Sequence, residues 1–112
     1  IEWKFAKSEY IEQICIIGLG IPQPMGLINL SEIGIAAGKA EVTESLNELL
    51  NSINPTMESY KKVKKIIIMS ENWSVENGIL TPTLKIKRNV LNQRFKDQFD
   101  DWYAEADAVL WK

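Results

Sequence analysis

Residues 40–69 read AEVTESLNELLNSINPTMESYKKVKKIIIM, and a change of period inside this stretch decides the kind of fold. Val42, Leu46, Leu49, Leu50 and Ile53 fall at i, i+4, i+7, i+8 and i+11, one apolar stripe that predicts a helix over 40–53. Ile66, Ile67, Ile68 and Met69 then stand side by side, a short apolar run rich in β-branched residues that suits a buried strand. Between them, Asn54 and Pro55 are the residue types favoured at an N-cap and a first helical position. They predict a second helix carrying Tyr60, Lys61, Lys62, Lys64 and Lys65.

The same reading extends in both directions. Ile11 to Ile17 is a β-branched run closed by Gly18, Gly20, Pro22 and Pro24, and predicts a strand followed by a loop. Cys15, inside that strand, reads as a small buried hydrophobe with an inert thiol. Met25 to Leu30 predicts a second strand, and Ser31-Glu32 a short helical turn ended by Gly38. The opening residues 1–7 look like the tail of a helix. Near the other end, Asn77-Gly78 marks a tight turn, and Leu91, Phe95, Phe99 and Trp102 share one face of a helix over about 90–104. About three strands interleaved with helices in 112 residues predict a small α+β (α/β) domain, a sheet with flanking helices, spanning 1–112 as one unit. A chain of this length can bury a core without disulfides or a metal.

Composition removes whole classes of chemistry. The chain has no histidine and one cysteine, so neither a Ser-His-Asp nor a Cys-His site can be built from it, and a Cys/His zinc site is excluded. No metal ligands are expected. The longest apolar run is far short of the roughly 20 residues that cross a bilayer, so no transmembrane segment is expected. Gly18-Leu19-Gly20 follows a strand as a dinucleotide-binding loop would, but Ile21-Pro22-Gln23 brings no third glycine and a proline where a helix should open. A turn joining two strands fits better.

Net charge is −2, yet it is sorted along the chain: residues 61–96 carry nine basic and two acidic side chains, while both flanks are acidic. A basic middle fits an anionic partner, such as a phosphorylated small molecule, or a solvated face that balances the acidic ends. Within it, Leu80-Thr81-Pro82-Thr83-Leu84-Lys85-Ile86-Lys87-Arg88 places a proline-braced polar turn before alternating basic and apolar residues. If extended, it sends Lys85 and Lys87 to one side and Leu84, Ile86 and Arg88 to the other. A lysine held on apolar neighbours is a positioned charge suited to a carboxylate or phosphate. Composition alone does not choose which lysine.

This segment resembles the C-terminal lysine motif of AMP-forming adenylating enzymes, specifically the long-chain fatty acyl-CoA synthetases. The likeness extends to Asn72-Trp73-Ser74-Val75-Glu76-Asn77-Gly78-Ile79 and to Ile11-Glu12-Gln13 leading into Ile14 to Gly18, so it covers nearly the whole chain in the family's order. Other branches of the family usually place a glycine where this chain has Leu84.

The resemblance implies that the chain is the small mobile C-terminal lid of a larger enzyme, whose N-terminal adenylation domain binds ATP and the acyl substrate. Such enzymes convert ATP and a fatty acid to an acyl-adenylate and pyrophosphate; coenzyme A then attacks to give acyl-CoA and AMP, and the lid turns between the two steps. By position Lys85 matches the catalytic lysine of the first step, with Thr81 and Thr83 as a supporting, substrate-binding turn. The basic stretch 61–65 is a candidate for coenzyme A contact. Mg2+ would belong to the full-length enzyme and not to these residues. The partners implied are the adenylation domain, fatty acid, ATP or AMP, and coenzyme A, with no nucleic acid. A cytoplasmic location is expected, with peripheral attachment at the inner face of the membrane open to the full-length enzyme. Lacking the phosphate-binding loop and acyl tunnel, the 112 residues alone should be inactive. The rival readings are a non-catalytic interaction domain using the basic 61–96 region, and the lid of an acyl-acyl carrier protein ligase or a luciferase-like relative.

Overall fold

The computed structural model describes residues 5, 8–18, 23–58 and 62–112. Strand β1 (Ile11–Ile17) pairs antiparallel with β2 (Met25–Leu30), as a strand-turn-strand connection requires, although residues 19–22 of that connection lie outside the described residues. Ser31 then caps helix α1 (Glu32–Ala37), its hydroxyl accepting from the Gly34 amide at 3.1 Å. Gly38, at φ 93°, turns the chain directly into α2 (Lys39–Ile53), a backbone conformation that side chains with a Cβ rarely adopt. The expected stripe faces inward: Val42, Leu46, Leu50 and Ile53 are buried and Leu49 is half-buried.

Strand β3 (Lys65–Ile68) lies parallel to β2, and after helix α3 (Arg88–Ala104) a short strand β4 (Val109–Trp111) lies parallel to β3. The sheet order is β1-β2-β3-β4. The α+β fold with a helix-flanked sheet is therefore observed, with four strands rather than about three. The added strand is three residues long and exists through its pairing with β3.

Helices cover both faces of the sheet. On one side Cys15, Ile17, Met25, Leu27, Ile67 and Leu110 meet Leu91, Phe99 and Trp102 of α3, together with Trp73 and Ile79. On the other, Ile14, Ile28, Ile66, Ile68 and Val109 meet Val42, Leu46 and Leu50 of α2. Period-2 alternation sends successive strand residues to opposite cores, and every residue of the interior strand β3 is buried. Each fully buried large apolar side chain contributes roughly 1.5–3 kcal/mol. Cys15 is buried, as the sequence suggests.

Among the described residues one expected element is not seen. Asn54-Pro55 opens only a single 3-10 turn over Asn54–Thr56, and Met57 is already extended. Asn54 is the C-cap of α2, and its side-chain amide both donates to the Val63 carbonyl (2.9 Å) and accepts from the Val63 amide (3.0 Å). Those two bonds direct the chain into β3, so Lys65 opens a strand instead of riding on a helix. Tyr60 and Lys61 lie outside the described residues, as do residues 1–7 apart from Phe5, which is helical and buried.

Candidate functional site

Residues 72–87 lie between β3 and α3 and are held by their own backbone and by short polar side chains. The Asn77 side chain accepts from the Ser74 and Ile79 amides (3.0 and 3.2 Å) and donates to the Asn72 carbonyl (2.9 Å), closing the expected turn. Ile79 and Leu80 then dive into the core beside α3. Ile79 and Lys87, and Thr81 and Lys85, face each other as rungs of a small hairpin. The Lys87 amide donates to the Ile79 carbonyl at 2.7 Å, and the Thr81 amide to the Lys85 carbonyl at 2.8 Å. Leu80 and Ile86 form the bridge between them.

At the tip, the Leu84 amide donates to the Thr81 carbonyl (2.8 Å), the Lys85 amide to the Thr81 hydroxyl (3.0 Å), and the Thr81 and Thr83 hydroxyls share a bond of 3.1 Å. Thr81, Thr83 and Lys85 are thus brought together in one turn. Lys85, Lys87 and Arg88 are exposed, and two residues past Lys85 the chain enters α3 with Lys87 at the N-cap, where the helix dipole adds positive potential. A shallow hollow of about 460 Å3 beside the lysine is lined by Gln13, Cys15, Leu84, Lys85, Ile86 and Arg88.

The alternation expected of an extended 84–88 fails at its first residue. Leu84 has φ 64°, in the left-handed region, and its side chain is 61% exposed, so only Ile86 anchors the lysine on apolar neighbours. A residue with a Cβ adopts that region at a cost of about 1–2 kcal/mol, whereas glycine does so freely.

The basic middle does not form one common surface. Lys65 is buried, its ammonium donating to the Glu105 and Asp107 carbonyls after α3, and Arg94 pairs with Glu71 at 2.9 Å. Burial, reinforced by neighbouring Lys64, lowers the pKa of Lys65 below the usual lysine value despite Glu105 and Asp107. Lys65 is therefore withdrawn from the coenzyme A contacts expected of 61–65. Lys64 stands 5.9 Å from the Tyr103 ring centre.

Asn29 supports the site without having been singled out from the sequence. Buried in β2, it accepts from the Trp73 amide (2.8 Å) and donates to the Glu71 carbonyl (3.0 Å), tying the start of the 72–87 segment to the sheet. The available signal was a lone amide in an otherwise apolar strand.

A family model described as the AMP-binding enzyme C-terminal domain matches residues 1–107. The chain belongs to that family. Among similar proteins, long-chain-fatty-acid–CoA ligase 6 of Mus musculus is 47% identical over 121 residues, covering 92% of this chain and 17% of the relative. Long-chain-fatty-acid–CoA ligase 5 of Mus musculus is 34% identical over 101 residues, covering 82% and 15%. Among solved structures, the A-PCP didomain of carboxylic acid reductase from Segniliparus rugosus, in complex with AMP, shares the fold at a TM-score of 0.75 and 24% identity, over 92% of this chain and 15% of that one. The chain thus spans less than a fifth of the length of these proteins.

Proposed function

We propose that this domain is the mobile lid of a long-chain fatty acid–CoA ligase and that Lys85 is its catalytic residue for acyl-adenylate formation. The observation that carries the reading is the doubly bonded turn at 81–85, which fixes the backbone of Lys85 while the residue stays exposed two positions before the N-cap of α3. A lysine so held offers a compact positive charge to the carboxylate and phosphate oxygens that crowd together as a fatty acid attacks ATP. Thr81 and Thr83 shape the turn and act on the substrate through it. The two mouse relatives, both coenzyme A ligases, favour coenzyme A over a carrier protein as the acceptor. Mg2+ accompanies ATP in such enzymes; among the described residues no group of three carboxylates, thiols or imidazoles gathers to hold it, and no residue here is assigned to it.

The test is Lys85→Ala in the full-length enzyme. Acyl-adenylate formation should slow by two orders of magnitude or more, the ~3–4 kcal/mol typical of one well-placed charge or oxyanion donor. Acyl transfer from a supplied acyl-adenylate to coenzyme A should be nearly unchanged. Lys87→Ala is the control, since an unplaced, solvated charge contributes little, and should leave both steps near normal. Equal losses from Lys85→Ala and Lys87→Ala would refute the assignment.

A further inference from the structure

One polar side chain stands on a strand face that is otherwise apolar. On the side of β1 that meets α3, Cys15 and Ile17 are buried in the core, and period-2 alternation puts Gln13 on the same side, one step nearer the start of the strand. Gln13 is half-buried, and its side-chain amide bonds to no group among the described residues. A side-chain amide carries two donors and an acceptor, and an unpaired one beside a packed core is a recognition group left unused by the fold.

The surroundings of Gln13 select an anion. Gln13 and Cys15 line the hollow of about 460 Å3 from β1, while Leu84, Lys85, Ile86 and Arg88 line it from the hairpin and the start of α3. Among the described residues this lining includes two cationic side chains and no carboxylate, so the local potential favours negative charge. β1 is an edge strand, and no further strand of the described sheet lies over it.

Both sides of the hollow are fixed from the backbone. The turn at 81–85 holds Lys85, and pairing with β2 holds Gln13 opposite Asn29. The two side chains differ in what they offer. An ammonium is a compact charge on a long flexible stem, whereas an amide on a paired strand is a shorter, directed donor. Used together, one offsets the charge of an anionic group and the other sets its orientation.

We propose that Gln13 is a substrate-contact residue for acyl-adenylate formation, its amide donating to an oxygen of the same carboxylate and phosphate cluster that Lys85 meets. The proposal rests on the reading of Lys85 given above and adds β1 to the site. Gln13 makes and breaks no covalent bond; it orients the anionic group. Its contact belongs to the step that Lys85 serves, so acyl transfer to coenzyme A does not depend on it.

The experiment uses the full-length enzyme, with ATP and fatty acid, in single-turnover assays of acyl-adenylate formation and of acyl transfer from supplied acyl-adenylate. Gln13→Leu keeps the bulk and removes the amide; Gln13→Glu keeps the shape and sets a carboxylate beside Lys85. Gln13→Leu should slow adenylate formation about tenfold, the loss expected of one hydrogen bond to a charged group. Gln13→Glu should slow it about a hundredfold, because repulsion of the anion adds to the lost donor. Both should leave transfer within twofold and the melting temperature nearly unchanged. Gln13→Leu combined with Lys85→Ala should cost less than the product of the separate losses, since both side chains act on one group. Normal adenylate formation in both Gln13 variants, with Lys85→Ala still impaired, would overturn the contact and spare the lysine. Slow formation in the Gln13 variants with Lys85→Ala unimpaired would keep the contact and overturn the reading of Lys85. Equal rates in Gln13→Leu and Gln13→Glu, fully multiplicative losses in the double variant, or equal losses in both half-reactions would overturn the proposal. Should Gln13→Leu not fold, Gln13→Glu, with the same shape as the native side chain, decides alone by the ratio of its two half-reaction losses.

Discussion

Thr81 and Lys85 are bonded to each other twice, the Thr81 amide donating to the Lys85 carbonyl at 2.8 Å and the Lys85 amide to the Thr81 hydroxyl at 3.0 Å. The threonine side chain takes the place of a backbone acceptor at the mouth of a turn too tight to supply one. Position and charge are thereby separated between two residues: Thr81 fixes where the lysine backbone lies, and Lys85 supplies the ammonium.

Removing that hydroxyl should therefore damage placement more than stability. Thr81→Val retains the backbone bond but leaves the Lys85 amide to water, a change of about 0.5–1.5 kcal/mol for an exposed hydrogen bond. In the full-length enzyme acyl-adenylate formation should fall roughly tenfold, because a small misplacement of a catalytic group is expensive in rate. Thr83→Val, which loses only the bond to the Thr81 hydroxyl, should have a smaller effect on both. Thermal melts and half-reaction rates check the pair; a larger effect from Thr83→Val would reverse the roles of the two threonines.

Asn29→Leu tests the tie between the sheet and the site-bearing segment. The substitution leaves the buried Trp73 amide and the Glu71 carbonyl without their side-chain partner. An unsatisfied group of this kind costs about 1–3 kcal/mol, so urea unfolding of the 112-residue chain should show a loss in that range with an unchanged denaturant slope. A loss below about 0.5 kcal/mol would mean that the 71–73 segment is held by Trp73 packing alone.

Lys65 should make stability depend on pH. Burial lowers its pKa in the folded chain below the 10.5 of the unfolded chain, so between those two values the unfolded state binds more protons. Its contribution is fully present above about 10.5 and is lost as pH falls through the lowered folded value. The difference in unfolding free energy between wild type and Lys65→Met should therefore shift toward wild type as pH rises from neutrality to 10.5. Denaturant titrations of both proteins at several pH values measure this, and a flat difference would show that the two carbonyl bonds fully offset the burial of the charge.

The 112-residue chain on its own should unfold cooperatively yet catalyse no ATP–pyrophosphate exchange with fatty acid. Its described residues pack two apolar cores, one on each face of the sheet, which supports folding. Its candidate lysine stands in solvent with no opposing wall to exclude water and hold the reactants. Exchange above the uncatalysed background, in material free of the full-length enzyme, would contradict the lid assignment.

What the sequence determined by itself was local. Strands over 11–17 and 25–30, a helix over about 40–53, the isoleucine strand and a helix over about 90–104 all follow from period and punctuation, because a periodic apolar face has few ways to be buried, and the structure holds each of them to within two residues. The motif around Lys85 was legible through its resemblance to a family, and the bonded turn at Thr81 and Thr83 gives that motif its form. Tertiary structure decided the remainder. Val109–Trp111 is a strand because β3 offers it a partner, and three residues carry no period of their own. After Pro55 the described residues hold a single 3-10 turn, and Asn54 bonds Val63, nine residues away. Lys65 turns inward because two carbonyls beyond α3 meet it there, and Leu84 turns outward because its backbone closes a left-handed turn. Ile33 and Ile35 lie about fifty residues from Leu84, and only folding brings them to one groove. Side-chain pattern reports which face an element buries; which faces then meet, and which polar atoms find one another, depends on contacts between residues far apart in the chain, and no local window of sequence contains them.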